Sequence, residues 1–297
     1  MAAEPFGPST EPPILRAAEI LEGREMRAIP VERDNSLDAG FSAFLDGTQR
    51  IQIIAQEAGI PIVLGTVSAA IRIRVDRRMQ SWQRRQPVVE RRLYMPFAYL
   101  ESMPTDAALS FQVVDTSEPD YAGVIPSQHP ASLMERAVKK VLEDRERAEL
   151  SLAEAWCESE KGTLFMDGGI GGSSTVATSS LAIGIVKSHR TLHAEGDALR
   201  TVLRLDVAER TPVFRLTSRS RISVVSWYLR VRSPQARDAM WGLVRIESCE
   251  EGWTSERADE ISRWVLRESS PLALPDNRWD KMAYGVRDTE EFLRAIS

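Results

Sequence analysis

The chain contains very little cysteine or histidine. Cys157 and Cys249 are its two cysteines, too few for a disulfide framework or for a zinc site made of cysteines. The three histidines, His129, His189 and His193, do not have the HExxH spacing of a zinc-binding helix. We therefore expect neither a disulfide-stabilised fold nor a structural zinc site.

Long hydrophobic runs are also missing. No apolar segment approaches the roughly 18 residues needed to cross a bilayer, and residues 1–13, MAAEPFGPSTEPP, have no basic region followed by an apolar one. The expected location is cytoplasmic, with no membrane contact. The proline-rich composition of residues 1–13 predicts a disordered tail. Residues 14–297 are expected to form a single domain, because no clear boundary interrupts them.

The positive charge is carried overwhelmingly by arginine and is clustered. With a net charge of −5, the chain is not expected to coat DNA nonspecifically, yet eight arginines lie between positions 72 and 92. Arginine suits phosphate, and an interleaved tryptophan can stack on a base. This segment is a candidate DNA-binding surface, with a solvated basic face as the alternative. The candidate contacts are Arg72, Arg74, Arg77, Arg78, Trp82, Arg84 and Arg85.

Two short apolar runs end in the same dipeptide. One run leads to Asp46 and Gly47, and the other leads to Asp167 and Gly168. A carboxylate where a buried strand ends, beside glycines that let a ligand approach the backbone, is typical of metal or phosphate sites. Asp-Gly is also common turn chemistry, so neither aspartate alone is specific. After the second dipeptide, the segment DGGIGGSST leads to a further apolar run that ends at Lys187.

The remaining pattern predicts an α/β fold, in which helices flank a mixed sheet and irregular Arg-rich insertions interrupt it. The predicted strands are 41–45, 50–55, 60–75, 164–166, 181–186, 222–231 and 243–246, with exposed strands or a hairpin over 200–221. The predicted helices are 14–27, about 132–156 after a Ser132 and Glu135 capping box, 255–267, and a last helix capped by Asp288 with Glu291. Residues 76–130 are expected to be irregular.

The helix over 132–156 carries charge on its inward side. Its apolar spacing places Arg145 and Glu149 on the stripe that faces the core. A buried charge costs several kcal/mol unless it is paired or bound to a metal. Two interpretations remain open. Either the two residues pair at i,i+4 or lie at a solvated edge, or Glu149 reaches the same place as Asp46 and Asp167.

The candidate carboxylates occur in an informative order along the chain. A strand with Asp46 is followed by two more strands, a helix with Glu149 and a strand with Asp167. This is the order of an RNase H-like core, in which such carboxylates meet at one edge of the sheet. Two divalent ions about 4 Å apart at such a site support phosphodiester hydrolysis, and Mn²⁺ or Mg²⁺ suits all-oxygen ligands. Glu247, where a later strand closes, is a further acidic candidate.

Six short segments resemble the NurA family of nucleases. They are FLDGTQR (44–50), RAEL (147–150), FMDGG (165–169), AIGIVKSHRT (182–191), SWYLRV (226–231) and GLVRIE (242–247). The resemblance implies a Mn²⁺-dependent DNA nuclease with an RNase H-like fold. It also implies a homodimer that works with a HerA-type hexameric ATPase in DNA end processing or anti-phage defence. On this resemblance, Asp46, Glu149 and Asp167 bind the metal, and Lys187 contacts DNA phosphate or the scissile group.

One part of the family pattern is missing. Members usually carry a histidine near the C-terminus, whereas residues 271–284, PLALPDNRWDKMAY, contain none. Asp276 or Asp280 is the expected replacement ligand, and Tyr284 is a nearby candidate DNA contact. The alternatives are a catalytically weak or inactive DNA-binding subunit of such a complex, and an actin-like ATPase or sugar kinase that uses DGGIGGSST as its phosphate loop.

Overall fold

The computed structural model describes residues 12–32, 40–100, 111–119, 127–218, 221–269 and 283–297. In chain order the strands are β1 (Ile14–Leu15), β2 (Glu19–Ile20), β3 (Ile29–Pro30), β4 (Ala43–Glu57), β5 (Ile60–Val75), β6 (Arg78–Ser81), β7 (Val88–Met95), β8 (Gln112–Asp115), β9 (Leu164–Asp167), β10 (Ala182–Val186), β11 (Thr191–Leu192), β12 (Glu209–Arg210), β13 (Phe214–Ser218), β14 (Arg221–Arg230) and β15 (Leu243–Ser248). The helices are α1 (Pro130–Ser159), α2 (Ser174–Ala177), α3 (Gly196–Arg204), α4 (Ser255–Glu268) and α5 (Tyr284–Ile296), with a 3₁₀ turn at Phe97–Tyr99.

Most of the strands belong to one large mixed sheet with the order β2-β13-β14-β15-β10-β9-β4-β5-β7-β8. The strands β4, β5 and β7 run antiparallel to one another in succession. On the other side of β4, β9 runs parallel to β4 and β10 runs parallel to β9. The strand β15 then returns antiparallel to β10. The predicted fold class, an α/β protein with a mixed sheet flanked by helices, is confirmed.

Helices cover both faces of the sheet. Because successive side chains of a strand point to opposite faces, Leu45 of β4 packs in the core with Val141 and Leu152 of α1. Its neighbour Phe44 packs in a second core with Val286 of α5. We call these two sides of the sheet the α1 face and the α5 face. No helix within the described part of the chain is long and apolar enough to span a membrane.

The strand that carries the first Asp-Gly dipeptide is longer than predicted. Residues 43–45 of the first predicted strand and all of the second, 50–55, are parts of the single strand β4. Asp46 and Gly47 therefore lie inside a strand, where both are paired with β5, and they do not end it. The chain reverses farther on, at Gly59, which has a φ of +84°. Continuous pairing with β5 overrides the local turn preference of Asp-Gly.

The helix predicted over 14–27 is wrong. In its place, β1 pairs with β11 and β2 pairs with β13, and Gly23 has a φ of +88° that no α-helix contains. The backbone groups of this segment are satisfied by other strands. Those long-range pairings outweigh the helical spacing of its apolar residues.

Two longer predicted spans are wrong in part. Residues 76–130, expected to be irregular, contain β6, β7 and β8. Residues 200–221, expected to be exposed strands, begin inside α3 and only then reach β12 and β13. Of the predicted tail, residues 1–11 lie outside the described residues. The predicted strands that correspond to β9, β10, β14 and β15, and the helix that corresponds to α4, are confirmed.

Two helices begin earlier than their predicted caps. The helix α1 starts at Pro130, and His129 caps it by accepting a hydrogen bond from the backbone N–H of Ala131. Proline suits the first helical position because its missing N–H would have no partner there, so Ser132 lies inside the helix. The helix α5 starts at Tyr284, before Asp288.

Candidate functional site

Asp46 and Asp167 lie side by side on the neighbouring parallel strands β4 and β9. The register pairs Leu45 with Met166, and the next residue of each strand is the aspartate. Leu45 and Met166 belong to the core on the α1 face, so the two aspartates face the α5 side. Only 5% of Asp46 is exposed to solvent. The fold therefore holds a buried carboxylate beside a second one.

Lys187 provides a positive charge at these aspartates. The strand β10 lies next to β9, with Ile185 opposite Asp167. Because side chains alternate along a strand, Lys187, two residues after Ile185, points to the same face of the sheet. Its Nζ lies 2.6 Å from Oδ2 of Asp167. The positive charge beside the two carboxylates is therefore the ammonium group of Lys187, which follows β10.

Glu149 approaches β4 from α1, on the face of the sheet opposite to the side chain of Asp46, and Gly47 makes room for it. A Cβ atom at Gly47 would lie 2.1 Å from Oε1 of Glu149, a distance that no real side chain tolerates. Nη1 of Arg145 lies 3.2 Å from the same oxygen and donates a hydrogen bond to the carbonyl oxygen of Gly47 at 3.4 Å. Glu149 therefore pairs with Arg145 at i,i+4 and also approaches β4 beside Asp46, so the two interpretations of Glu149 are compatible.

The three carboxylates are electrostatically coupled. Burial raises the pKa of Asp46 well above its usual value, and the charges of Asp167 and Glu149 raise it further, against the opposing effect of Lys187. Burial likewise raises the pKa of Glu149 to about 7, with Arg145 opposing and Asp167 reinforcing the shift. A cluster of this kind holds its full negative charge poorly unless a cation stabilises it.

The donor atoms of this cluster fit a hard divalent cation. Asp46, Glu149 and Asp167 offer carboxylate oxygens, which are the ligands that Mg²⁺ and Mn²⁺ prefer. Oε1 of Glu149 is buried and accepts no hydrogen bond from the residues that the structure describes. Among these residues, no three His, Cys, Asp or Glu side chains are gathered tightly enough to form a ready-made metal site. Asp276 and Asp280 lie outside the described residues.

Glu247, the further acidic candidate, is engaged by groups of the protein itself. Its Oε2 accepts a hydrogen bond from the backbone N–H of Ile170 at 2.9 Å, and its Oε1 lies 2.6 Å from Nη2 of Arg245. A Cβ at Gly169 would lie 2.8 Å from the same Oε2. Glu247 therefore holds the glycine-rich loop that follows β9. This close contact requires a glycine at position 169 for packing reasons alone, without a bound phosphate.

Two of the predicted DNA-contacting arginines are engaged in holding helices on the α5 face. Nε of Arg72 lies 2.8 Å from Oδ1 of Asp288 on α5. Both terminal nitrogens of Arg74 bind Glu268 at the end of α4, at 2.5 and 2.8 Å. The remaining candidates of this type are exposed and lie in or after the turn between β5 and β6. They are Arg77, Arg78, Arg84 and Arg85.

The turn that holds Arg77 is far along the sheet from the acidic cluster. Asp46 is paired with Ala70 of β5, and Arg77 follows Ala70 by seven residues in the direction away from the site. The strand β5 runs five residues past Ala70 to Val75, which is about 17 Å at about 3.4 Å per residue, before the turn begins. Arg84 moreover pairs with Glu160, its Nε lying 2.7 Å from Oε1. The structure therefore does not bring Arg77 or Arg78, at the β5–β6 turn, to the carboxylates.

Trp82 is a core residue in the structure. It is 5% exposed, its Nε1 donates a hydrogen bond to Oε1 of Glu160 at 2.9 Å, and its ring contacts that of Trp156. Its ring face is therefore not open for stacking on a base. Tyr284, at the start of α5, is 46% exposed.

A cleft that the sequence patterns did not predict lies beside the cluster. It has a volume of about 540 Å³, begins at Gly47 and runs outward along β4 beneath α5, past Arg50, Arg91 and Arg294. A signal for it is present in the sequence, because Asp46, Thr48, Arg50 and Gln52 alternate as the polar face of a single long strand. The expectation that Asp-Gly ends the strand conceals this alternation.

Fold and site together define a mixed α/β protein in which two aspartates, a lysine and an arginine-containing cleft lie on one face of the sheet, while a glutamate approaches from the helix on the other face. No protein-family model matches the chain, and no curated protein sequence matches it.

Proposed function

We propose that this protein is a metal-dependent DNA nuclease with an RNase H-like core, related to the NurA family. The observation that carries the proposal is the placement of Asp46, Asp167 and Lys187 on three neighbouring strands, with Glu149 of α1 in close contact with Gly47, the residue after Asp46. The strand arrangement supports it. Three successive antiparallel strands, β4, β5 and β7, are followed by α1 and by two strands parallel to β4. An RNase H-like core has this arrangement, with its carboxylates on the first strand, the helix and the fourth strand.

In the proposed active site, Asp46, Glu149 and Asp167 hold Mn²⁺ or Mg²⁺, and Asp280 is the candidate for a fourth ligand. Such ions, when bound, activate water and stabilise the leaving oxygen in phosphodiester hydrolysis. The burial of Asp46 keeps bulk water from its carboxylate, which strengthens every charge interaction there. Lys187 compensates the charge of Asp167 and is placed to donate to a phosphate oxygen of the bound strand.

The remaining parts of the proposal rest on the resemblance of the six sequence segments to NurA proteins. They are a homodimeric assembly, a HerA-type hexameric ATPase as partner, and a role in DNA end processing or anti-phage defence. The missing C-terminal histidine motivates the second candidate function, a DNA-binding subunit of such a complex with weak or no cleavage.

The test compares the wild type with Asp46→Asn and Asp167→Asn on labelled single-stranded DNA in Mn²⁺. We expect cleavage to fall by more than about 100-fold in both variants, because even the outer partners of metal ligands are worth about 10–100-fold. Folding should be retained, since a neutral amide relieves the repulsion within the cluster. Asp76→Asn is the matched control: Asp76 is exposed in the β5–β6 turn at a φ of +48°, which asparagine tolerates.

The outcomes separate the candidates. Wild-type cleavage that persists in both site variants would refute the site. If the wild type does not cleave DNA, the assay is repeated with a HerA-type ATPase, and continued inactivity would favour the non-catalytic subunit. Hydrolysis of ATP in the absence of DNA would favour the actin-like ATPase instead.

A further inference from the structure

The cleft beside the acidic cluster continues the surface on which the aspartates lie. Along β4, the side chains of Thr48 and Arg50 point to the same face of the sheet as Asp46, because they lie two and four positions after it. At about 3.4 Å per residue, Arg50 lies about 14 Å along the strand from Asp46. The lining includes both Arg50 and Gly47, so the cleft begins at the residue that follows Asp46 on β4.

A row of three residues crosses the floor of this cleft. Arg50 of β4 is the register partner of Thr66 of β5, and Thr66 is also the partner of Arg91 of β7. Directly opposed residues in neighbouring strands share a face. The two guanidinium groups therefore flank a hydroxyl group on the same side of the sheet as Asp46.

Within the described part of the chain, the charge of these two arginines is not compensated. Both are exposed, and neither has an ion-pair or hydrogen-bond partner among the residues that the structure describes. Other arginines of the same sheet are paired, as Arg92 is with Asp144 at 2.7 Å and Arg74 is with Glu268. Three arginines and one glutamate line the cleft, so it carries an excess of positive charge in a chain whose net charge is −5.

We propose that this cleft is the groove that holds one strand of the nucleic acid, with Arg50 and Arg91 as positioning residues for its phosphates. The inference rests on the proposed function, since it places the strand relative to the Asp46 cluster. Arginine binds phosphate through paired N–H donors, and the Thr66 hydroxyl adds a neutral donor between them. The outer end of the cleft is apolar, with Leu64 and Phe111 in its lining, which suits contact with bases.

The size of the cleft is compatible with a short stretch of one strand. About 540 Å³ lies within the range of about 300–1,000 Å³ typical of sites for small organic molecules. A short stretch of one strand fits such a volume. A duplex, whose major groove alone is about 12 Å wide, requires a much wider surface.

The test is fluorescence anisotropy with a labelled oligothymidylate of about 16 nucleotides in EDTA, so that binding is measured without hydrolysis. Arg50→Ala and Arg91→Ala should each weaken binding severalfold. Each should also reduce the slope of log affinity against log salt by about 0.7, the contribution of one phosphate contact in a single strand. Arg24→Ala is the matched control, because Arg24 is exposed, has no partner among the described residues and follows β2, at the opposite edge of the sheet.

The groove is refuted if the wild type does not bind the oligonucleotide, if both cleft variants bind as the wild type does, or if Arg24→Ala weakens binding equally. A loss confined to Arg77→Ala would place the contact on the β5–β6 turn and would also refute it.

Asp167→Asn separates the two proposals. If this variant keeps cleaving while the cleft variants lose affinity, the proposed active site fails and the groove stands. If the cleft variants bind normally while Asp167→Asn abolishes cleavage, the groove fails and the active site stands.

Discussion

The close approach of Glu149 to Gly47 gives a prediction that separates the active site from the stability of the fold. In Gly47→Ala, the new Cβ would lie 2.1 Å from Oε1 and 2.9 Å from Cδ of Glu149. Ordinary contacts between such atoms begin near 3.5 Å, so the carboxylate must retreat by about 1 Å or more. Misplacement of a catalytic group by 1 Å can cost about 100-fold in rate. We expect a loss of that order in Mn²⁺-dependent cleavage, and weaker Mn²⁺ binding by calorimetry.

The stability of Gly47→Ala should change little. Alanine is favoured over glycine inside a strand by about 0.5–1 kcal/mol, and weakening the partly exposed Arg145–Glu149 pair costs at most about 1 kcal/mol. These terms nearly cancel. Gly65→Ala is the contrasting control on β5. Its Cβ would lie 2.5 Å from the ring of Tyr94 and 2.7 Å from Val141 in the core, so overpacking should cost about 1–3 kcal/mol in urea denaturation.

A second substitution tests the reason for the effect. Glu149→Asp shortens the side chain by one methylene, which withdraws its carboxylate from the position that the new Cβ would occupy. Gly47→Ala should therefore cost less activity in the Glu149→Asp background than in the wild type. Wild-type cleavage and wild-type Mn²⁺ affinity in Gly47→Ala would show that the contact between Glu149 and β4 is unimportant.

Two further predictions concern stability and are checked by urea denaturation. Trp82→Ala should lower the free energy of unfolding by about 3–5 kcal/mol, because the ring is buried; a change below about 0.5 kcal/mol would mean that the ring is on the surface. Arg210→Ala should cost about 3–5 kcal/mol, because it leaves Glu22 and Asp259 without their buried partner. Arg200→Ala, at an exposed ion pair, should stay within about 1 kcal/mol of the wild type.

Local patterns in the sequence predicted the parts of the fold whose side chains point consistently toward a core. The strands β9 and β10 are short apolar runs between polar boundaries. The helix α1 keeps a 3.6-residue apolar spacing although many charged residues lie between its apolar positions. The order of Asp46, Glu149 and Asp167 along these elements was also readable. Once β9 pairs parallel with β4, Asp46 and Asp167 lie side by side, but that pairing is a property of the tertiary structure.

Other features depended on contacts between distant parts of the chain. Arg72 and Arg74 pair with residues 216 and 194 positions away, and no local pattern distinguishes a paired arginine from an unpaired one. The continuity of β4 through Asp46 and Gly47 required β5 as its partner, and the cross-strand row of Arg50 and Arg91 required the register of three strands. The sequence by itself determined which residues could carry the chemistry, because residue type and periodicity are local properties. Only the tertiary structure decided which charges neutralise one another and which remain available to a ligand, since that depends on long-range pairing.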